Sequence, residues 1–183
     1  PAEGTSTLAP TALIGTGVMG MGIAQIAAQA GVEVRLFDAK AGAAEAGLAK
    51  LKVTLEKLQA KGKFTEQVLN ETLARFVVLD SIEQIAGVDL VVEAIIENLE
   101  IKQSLFKQIE AIVAPSTILA TNTSSLSVTA IASNLEHQGR MAGFHFFNPV
   151  PLMKIVEVIA GLATDEQVVA DLLELAQRMG HFG

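Results

Sequence analysis

Thr11-Ala12-Leu13-Ile14-Gly15-Thr16-Gly17-Val18-Met19-Gly20-Met21-Gly22-Ile23-Ala24 is the stretch that decides the fold. In it an apolar strand runs into a glycine-rich turn, and the turn opens a helix. The glycines match G-x-G-x-x-G, a pattern that allows a tight turn, the approach of a pyrophosphate and close helix–strand packing. The helix N-terminus offers unpaired N–H groups to phosphates. We therefore predict a dinucleotide site whose contacts include Gly15, Gly17, Val18, Met19 and Gly20.

Asp38 ends the second predicted strand, 18 residues after Gly20. A carboxylate at this position accepts hydrogen bonds from ribose hydroxyls and repels a 2′-phosphate. NAD is therefore favoured over NADP as the cofactor, although Lys40 close by weakens the exclusion. The alternative is a solvated aspartate at a strand end, which is common in α/β proteins.

The composition is that of one domain with a sizeable apolar core. The chain has 183 residues, half of them apolar, and no cysteine, which excludes disulfides and thiolate chemistry. A formal net charge of −7 argues against a nucleic acid or an anionic membrane as partner. Residues 5–32 are uncharged but contain Pro10 and five glycines, so we predict no membrane span. The three histidines are scattered, and we predict no metal site.

Strands and helices alternate along the chain. This alternation predicts an α/β, Rossmann-type doubly wound fold, with a mostly parallel sheet and an antiparallel hairpin near the C-terminal end. We predict strands at residues 12–14, 32–37, 76–79, 89–94, 117–120, 141–146 and 155–159. We predict helices at residues 18–30, 40–60, 65–74, 99–113 and 124–134, and a last helix that ends at Gly180. Residues 1–9 are expected to be a flexible lead-in to a cofactor domain at 10–183, and the sequence is expected to be truncated after Gly183, where a further strand should follow.

His145 and Glu157 are polar residues within two apolar predicted strands, and they are equally distant from Pro151. In a hairpin centred on Pro151 they face each other, with Cβ atoms about 4.5–5.5 Å apart. The carboxylate can then accept from one imidazole N–H and leave the other nitrogen free for acid–base work. The alternative is a satisfied core histidine beside an exposed glutamate. His137 and His181 are assigned no role.

Three further motifs accompany the glycine turn: residues 92–98, residues 121–126, and residues 145–151 followed by Glu157. With these motifs the chain resembles the NAD-binding domain of the 3-hydroxyacyl-CoA dehydrogenases, over residues 11–183. The resemblance implies that His145 is the catalytic base and that Glu157 orients it. It places Ser124 and Asn148 beside them, near the substrate oxygen and the nicotinamide. The NAD contacts that it implies are Glu97, Lys102, Asn122, Ser124 and Asn148.

Several of these residues also have simpler explanations. Ser124 opens a predicted helix and could be an ordinary cap. Glu97 alone resembles a surface acid, and Lys102 an ordinary helix-surface lysine. These alternatives stay open in the sequence.

The predicted helix at 40–60 and the residues just after it resemble the family's helical arm, which meets coenzyme A. Five of the 13 basic residues lie within 14 positions there: Lys50, Lys52, Lys57, Lys61 and Lys63. A basic patch in an acidic protein suits a phosphate-bearing ligand, although a solvated helix face has the same pattern. The resemblance implies Thr54, Lys61 and Ser124 as substrate contacts.

The activity that the resemblance implies is reversible, NAD-dependent oxidation of a 3-hydroxyacyl-CoA to the 3-oxoacyl-CoA. It also implies a bacterial cytoplasmic enzyme of fatty acid or phenylacetate metabolism, with the mitochondrial matrix still open. The full-length protein is expected to form a homodimer through a helical domain that this chain lacks, so the chain alone is expected to be weakly active or inactive. Two alternatives remain, a β-hydroxyacid dehydrogenase-type reductase and a non-enzymatic nucleotide-binding or structural protein on the same fold.

Overall fold

The computed structural model describes residues 8–123 and 125–183 of the chain. The strands are β1 (Thr11–Ile14), β2 (Val34–Phe37), β3 (Phe76–Val78), β4 (Leu90–Glu93), β5 (Ile118–Thr121), β6 (Met141–Phe146) and β7 (Val156–Ala160). The helices are α1 (Val18–Gln29), α2 (Ala43–Ala60), α3 (Glu66–Leu73), α4 (Leu99–Ile112), α5 (Ser125–Ala132) and α6 (Glu166–Arg178). Short 3-10 helices lie at Ile82–Ile85 and Gln138–Arg140.

The seven strands form one sheet in the order β3-β2-β1-β4-β5-β6-β7. All neighbours run parallel except β6 and β7, which are antiparallel. The order of the strands in the sheet reverses between β1 and β4. The crevice at the carboxyl ends of these two strands is where α/β sheets of this kind bind ligands. The predicted doubly wound fold and its C-terminal hairpin are confirmed.

Apolar residues fill both faces of the sheet, as a parallel sheet covered by helices requires. Leu13 and Val92 belong to a cluster with α1, α2 and α6 on one face. Their sequence neighbours Ile14 and Val91 point to the opposite face and belong to a second cluster with α4 and α5. The sheet is therefore rigid on both sides, and its carboxyl edge holds the loops in place.

The ends of the described chain pack on the sheet. Leu8, within the expected lead-in, is 4% exposed and belongs to the larger apolar cluster. After α6, Phe182 forms a single parallel bridge with Ile155. The Phe182 N–H donates to the Lys154 carbonyl at 2.7 Å, at the position where a further strand is expected. The other predicted elements are present, with bounds that differ by a few residues.

Candidate cofactor and catalytic site

The turn between β1 and α1 has the geometry that its glycines predict. Gly15 has a φ of +97°, which L side chains rarely adopt. A Cβ on Gly20 would lie 1.7 Å from the carbonyl oxygen of Gly15, so only glycine lets α1 begin this close to β1. Gly17, by contrast, faces open space, and no side chain caps α1. The first N–H groups of the helix are therefore available to a phosphate.

Asp38 closes this turn from the end of β2. Its Oδ2 accepts hydrogen bonds from the Thr16 N–H and the Thr16 hydroxyl, both at 2.8 Å, and its Oδ1 accepts from the Lys40 N–H at 2.9 Å. Partial burial acts to raise the pKa of Asp38, but these hydrogen bonds and the Lys40 charge outweigh it, so the pKa lies below its ordinary value. A carboxylate has about four lone-pair sites, so about one remains for a ribose hydroxyl.

A buried charge cluster lies beside the turn, at the ends of β4 and β5. Its centre is the ion pair of Glu93 and Lys102, whose side chains are 0% and 1% exposed. The Lys102 Nζ lies 3.1 Å from Glu93 Oε2 and 2.9 Å from Glu97 Oε1. The hydroxyls of Thr121 and Thr123 donate to Glu93 and to Glu97 respectively. Lys102 is thus not a helix-surface lysine, and that alternative was wrong.

The cluster anchors the loop that follows β4. The Ile95 N–H donates to Glu93 Oε2 at 2.6 Å, and the Ala94 carbonyl lies directly against Gly15. Burial raises the pKa of Glu93, although Lys102 and the hydrogen bonds oppose the shift. Glu93 therefore fixes one wall of the glycine turn. The sequence signal for Glu93 is a charged residue in an apolar strand, the same signal that predicts a role for His145 and Glu157.

Glu97 connects this cluster to the hairpin. Partial burial acts to raise its pKa, but hydrogen bonds from Lys102 and Thr123, with the charges of Lys102 and His145, bring the pKa below its ordinary value. Its side chain is 64% exposed, so the carboxylate keeps access to a ligand. Glu97 therefore bonds to the charge cluster and lies close enough to His145 for the two charges to interact.

His145 and Glu157 are register partners across β6 and β7, as their spacing predicts. Nδ1 of His145 lies 3.0 Å from Oε1 of Glu157, and the two side chains are 28% and 56% exposed. His145 is thus only partly buried and not a core residue, although Glu157 is exposed, as the alternative expects. A carboxylate that accepts the Nδ1 proton leaves Nε2 as the nitrogen with a free lone pair. This arrangement can take up or return one proton.

The two predicted asparagines occupy different places. Asn122 Oδ1 accepts from the Phe146 N–H at 2.8 Å, which ties the end of β5 to β6 beside His145. Asn148 is exposed in the connection between β6 and β7. It lines a cavity together with Gly17 and Val18, so the glycine turn and the hairpin connection meet there.

His181, for which the sequence predicts no role, holds the connection between β6 and β7 in place. His181 is 1% exposed, and its Nε2 lies 3.0 Å from the Val150 carbonyl oxygen. Its ring also packs edge-on against Phe146. His181 therefore fixes the hairpin connection from the far end of the chain, a contact that local sequence does not reveal.

The two coenzyme A contacts predicted on α2 and at its C-terminal end differ in their position relative to this cavity. Thr54 lines the same cavity as Asn148, and its hydroxyl donates to the Lys50 carbonyl at 3.2 Å. Lys61 caps the C-terminus of α2, is exposed, and is not among the residues that line the cavity. Lys40 and Lys50 do line it. Lys50 belongs to the basic patch that the sequence indicates, whereas Lys61, the lysine predicted to contact coenzyme A, lies outside the cavity lining.

A family model described as the NAD-binding domain of 3-hydroxyacyl-CoA dehydrogenase matches residues 10–182. The chain belongs to this family. The assignment confirms the resemblance and confirms NAD as the cofactor. The chain is 48% identical over 166 residues to a probable 3-hydroxybutyryl-CoA dehydrogenase of Bacillus subtilis, a match that covers 91% of this chain and 58% of that protein.

Two Escherichia coli K12 proteins give a similar result. A 3-hydroxyadipyl-CoA dehydrogenase is 44% identical over 169 residues, which cover 92% of this chain and 36% of that protein. The crystal structure of a 3-hydroxybutyryl-CoA dehydrogenase superposes with a TM-score of 0.93 at 43% identity, covering 96% of this chain and 37% of that one. This chain therefore spans only part of the length of its relatives in the family.

Among the residues that the family resemblance implied, Ser124 lies outside the described residues. Met19 is half-buried and packs against the larger apolar cluster, whereas Val18 is 75% exposed beside the turn.

Within residues 8–123 and 125–183, no group of three or more His, Asp or Glu side chains could hold a metal ion. No helix in the same residues is long and apolar enough to cross a bilayer.

Proposed function

We propose that the full-length protein carrying this chain oxidises a 3-hydroxyacyl-CoA to the 3-oxoacyl-CoA, reversibly and with NAD. The observation that carries the proposal is the His145–Glu157 pair, at the same edge of the sheet as the glycine turn. The names of the relatives, 3-hydroxybutyryl-CoA and 3-hydroxyadipyl-CoA dehydrogenase, support the substrate class.

The proposed chemistry needs one proton acceptor from the protein. Oxidation of the 3-hydroxyl removes a hydride from C3 and a proton from oxygen, and it leaves a C3=O double bond. NAD, when bound, supplies the acceptor for the hydride. His145 takes the proton at Nε2, while Glu157 keeps Nδ1 protonated and stabilises the imidazolium by its charge. In the reverse direction the same nitrogen returns the proton.

The residues around the glycine turn fit the cofactor. The uncapped start of α1 and the open space over Gly17 suit the pyrophosphate. The remaining lone pair of Asp38 suits one ribose hydroxyl, and its charge opposes a 2′-phosphate. Glu97 and Lys102 would lie on the nicotinamide side, with Asn122 holding the backbone beside His145.

The substrate would lie against the hairpin connection and α2. Asn148 and Ser124 are assigned to the substrate oxygen and the nicotinamide. Thr54 is assigned to coenzyme A, which its place in the cavity supports. Lys61 is assigned to the same ligand and is supported by its charge and its position at the end of α2.

Assembly and location complete the proposal. A homodimer of the full-length protein is proposed from the family resemblance, and size-exclusion chromatography with light scattering tests it. A bacterial cytoplasmic location is supported by the bacterial sources of the relatives. Cell fractionation tests that location.

The deciding experiment is acetoacetyl-CoA-dependent oxidation of NADH by the full-length protein. Turnover in the wild type and its loss in His145→Ala support the proposal. NADH binding without turnover would favour the non-enzymatic alternative. Turnover of a free 3-hydroxy acid instead of its CoA thioester would favour the β-hydroxyacid dehydrogenase alternative.

A further inference from the structure

Gln25 is a buried side chain whose hydrogen-bonding groups are unused. It lies in the second half of α1 and is 6% exposed. A carboxamide carries two N–H donors and one oxygen acceptor. Within the described ranges 8–123 and 125–183, its carboxamide takes part in no hydrogen bond. Among the described residues the fully enclosed unpaired polar atoms are those of Arg140 and Arg178, so the polar atoms of Gln25 keep some solvent contact and a ligand in the adjoining cavity can reach them.

The Gln25 side chain lines the cavity already described, which has a volume of about 450 Å³. One face of α1 forms one wall, and α2 forms the opposite wall with Lys50, Leu51 and Thr54. The hairpin connection, residues 148–151, closes the third side. A volume of this size is typical of small-molecule sites, which range over about 300–1,000 Å³.

Two glycines allow the elements that line the cavity to pack closely against each other. A Cβ on Gly22 would lie 2.8 Å from the Val150 Cβ, so α1 and the hairpin connection are in direct contact. A Cβ on Gly47 would lie 3.0 Å from both the Met21 side chain and the Thr16 carbonyl oxygen. The space between α1 and α2 is therefore fixed by the fold rather than left by loose packing.

The lining of the cavity combines a few polar groups with a larger apolar surface. Thr54 and Lys50 provide a hydroxyl and a positive charge on α2, whereas Asn148 lies three residues beyond His145. Gln25 is about 10 Å along α1 from Val18, at about 1.5 Å per residue. Between these polar groups the lining is mostly apolar, with Met21, Leu51 and Val150. A ligand that matches this lining is extended, mostly apolar, and carries both an anionic group and an amide.

The pantetheine arm of an acyl-CoA has this chemistry, because its methylene groups are interrupted by two amides and a phosphate lies at one end. We propose that Gln25 binds a pantetheine amide through its carboxamide, and that it thereby determines specificity for CoA thioesters. The inference rests on the proposed function. A primary carboxamide can donate to the ligand carbonyl and accept from the ligand N–H at the same time.

The test compares Gln25→Leu with Gln29→Leu in the full-length protein. Gln29 lies one turn further along α1 and is exposed, so it receives the same substitution outside the cavity. Calorimetric titrations would use CoA, NAD, and adenosine 3′,5′-bisphosphate, which resembles the nucleotide end of CoA without the arm. Gln25→Leu is expected to weaken CoA binding about tenfold, the size of one to two hydrogen bonds. It should leave the other two ligands unchanged, and Gln29→Leu should change none.

A second measurement does not depend on how the variant folds. Free pantetheine added to isotope-labelled wild-type protein should shift the side-chain amide resonances of Gln25 and leave those of Gln29 in place. Equal CoA binding by Gln25→Leu and the wild type, or unmoved Gln25 resonances at saturating pantetheine, would overturn this inference alone. A wild-type protein that fails to bind CoA at all would overturn the proposed function together with it.

Discussion

Nδ1 of His145 lies 3.0 Å from Oε1 of Glu157, and the two residues are direct partners across the antiparallel strands β6 and β7. The pairing leaves the other imidazole nitrogen as the one that can exchange a proton with a ligand. Since both residues sit on strands, the sheet itself holds their geometry. Both residues lie toward the same edge of the sheet as the glycine turn.

Replacing His145 should separate proton transfer from cofactor binding. His145→Ala in the full-length protein is expected to lower kcat by about 10²–10⁴-fold, the usual contribution of a general acid–base group. NAD affinity should be nearly unchanged, because the turn and Asp38 are intact. His137→Ala is the matched control, since His137 is exposed and its hydrogen bonds are made by its backbone N–H and carbonyl. Wild-type-like turnover in His145→Ala would contradict the assignment.

Gly20 and Gly17 of the turn should have different roles, Gly20 in the stability of the fold and Gly17 in NAD binding. Gly20→Ala places a Cβ 1.7 Å from the Gly15 carbonyl oxygen, so it should destabilise the fold by more than about 3 kcal/mol. Gly17→Ala meets nothing within 4 Å and should leave the melting temperature within about 2 °C. It should nevertheless weaken NAD binding, because the added methyl occupies the space of the pyrophosphate. Thermal unfolding and NADH fluorescence titration measure the two effects, and equal stability losses in both variants would contradict this explanation.

Asp38 should set the preference between NAD and NADP. Asp38→Asn keeps the shape and one acceptor but removes the charge, so NAD affinity should fall several-fold. The ratio of NAD to NADP affinity should fall further, because the repulsion of a 2′-phosphate is lost. Asp80→Asn is the control, since Asp80 is an exposed residue outside the site. Titration with both reduced cofactors measures the ratio, and an unchanged ratio would show that Asp38 does not select the cofactor.

Removing Lys102 should leave Glu93 as an unpaired buried charge. Lys102→Met is expected to cost about 3–5 kcal/mol of unfolding free energy near neutral pH. Burial already raises the pKa of Glu93, and loss of Lys102 raises it further. A folded-state pKa above the unfolded value means that stability is lost as pH rises through it and regained as pH falls. The variant should therefore recover stability under mildly acidic conditions.

The second substitution Glu93→Gln should rescue Lys102→Met near neutral pH, because it removes the orphaned charge. Lys107→Met is the matched control on the same helix, where the lysine is exposed. Urea unfolding at two pH values measures all four proteins. A loss in Lys102→Met that neither acid nor Glu93→Gln reduces would show that packing, and not the buried charge, is responsible.

Local sequence patterns were sufficient to predict the fold and the register of the C-terminal hairpin. The glycine spacing, the alternation of apolar segments and the symmetric positions of His145 and Glu157 about Pro151 determine the fold and the hairpin register. These features follow from backbone geometry and from the period-2 alternation of strands, which act over short distances along the chain. Strand and helix bounds differ by a few residues, because their ends depend on neighbouring strands.

The tertiary structure alone decided which polar groups are buried and what they face. Lys102 lies in an amphipathic helix and gives no local sign that it reaches Glu93, because that contact depends on how α4 packs on the end of β4. Gln25 faces an open cavity only because α2 and the hairpin connection, which are distant in sequence, pack around α1. Burial and electrostatics depend on three-dimensional distance, so spacing along one chain does not reveal them.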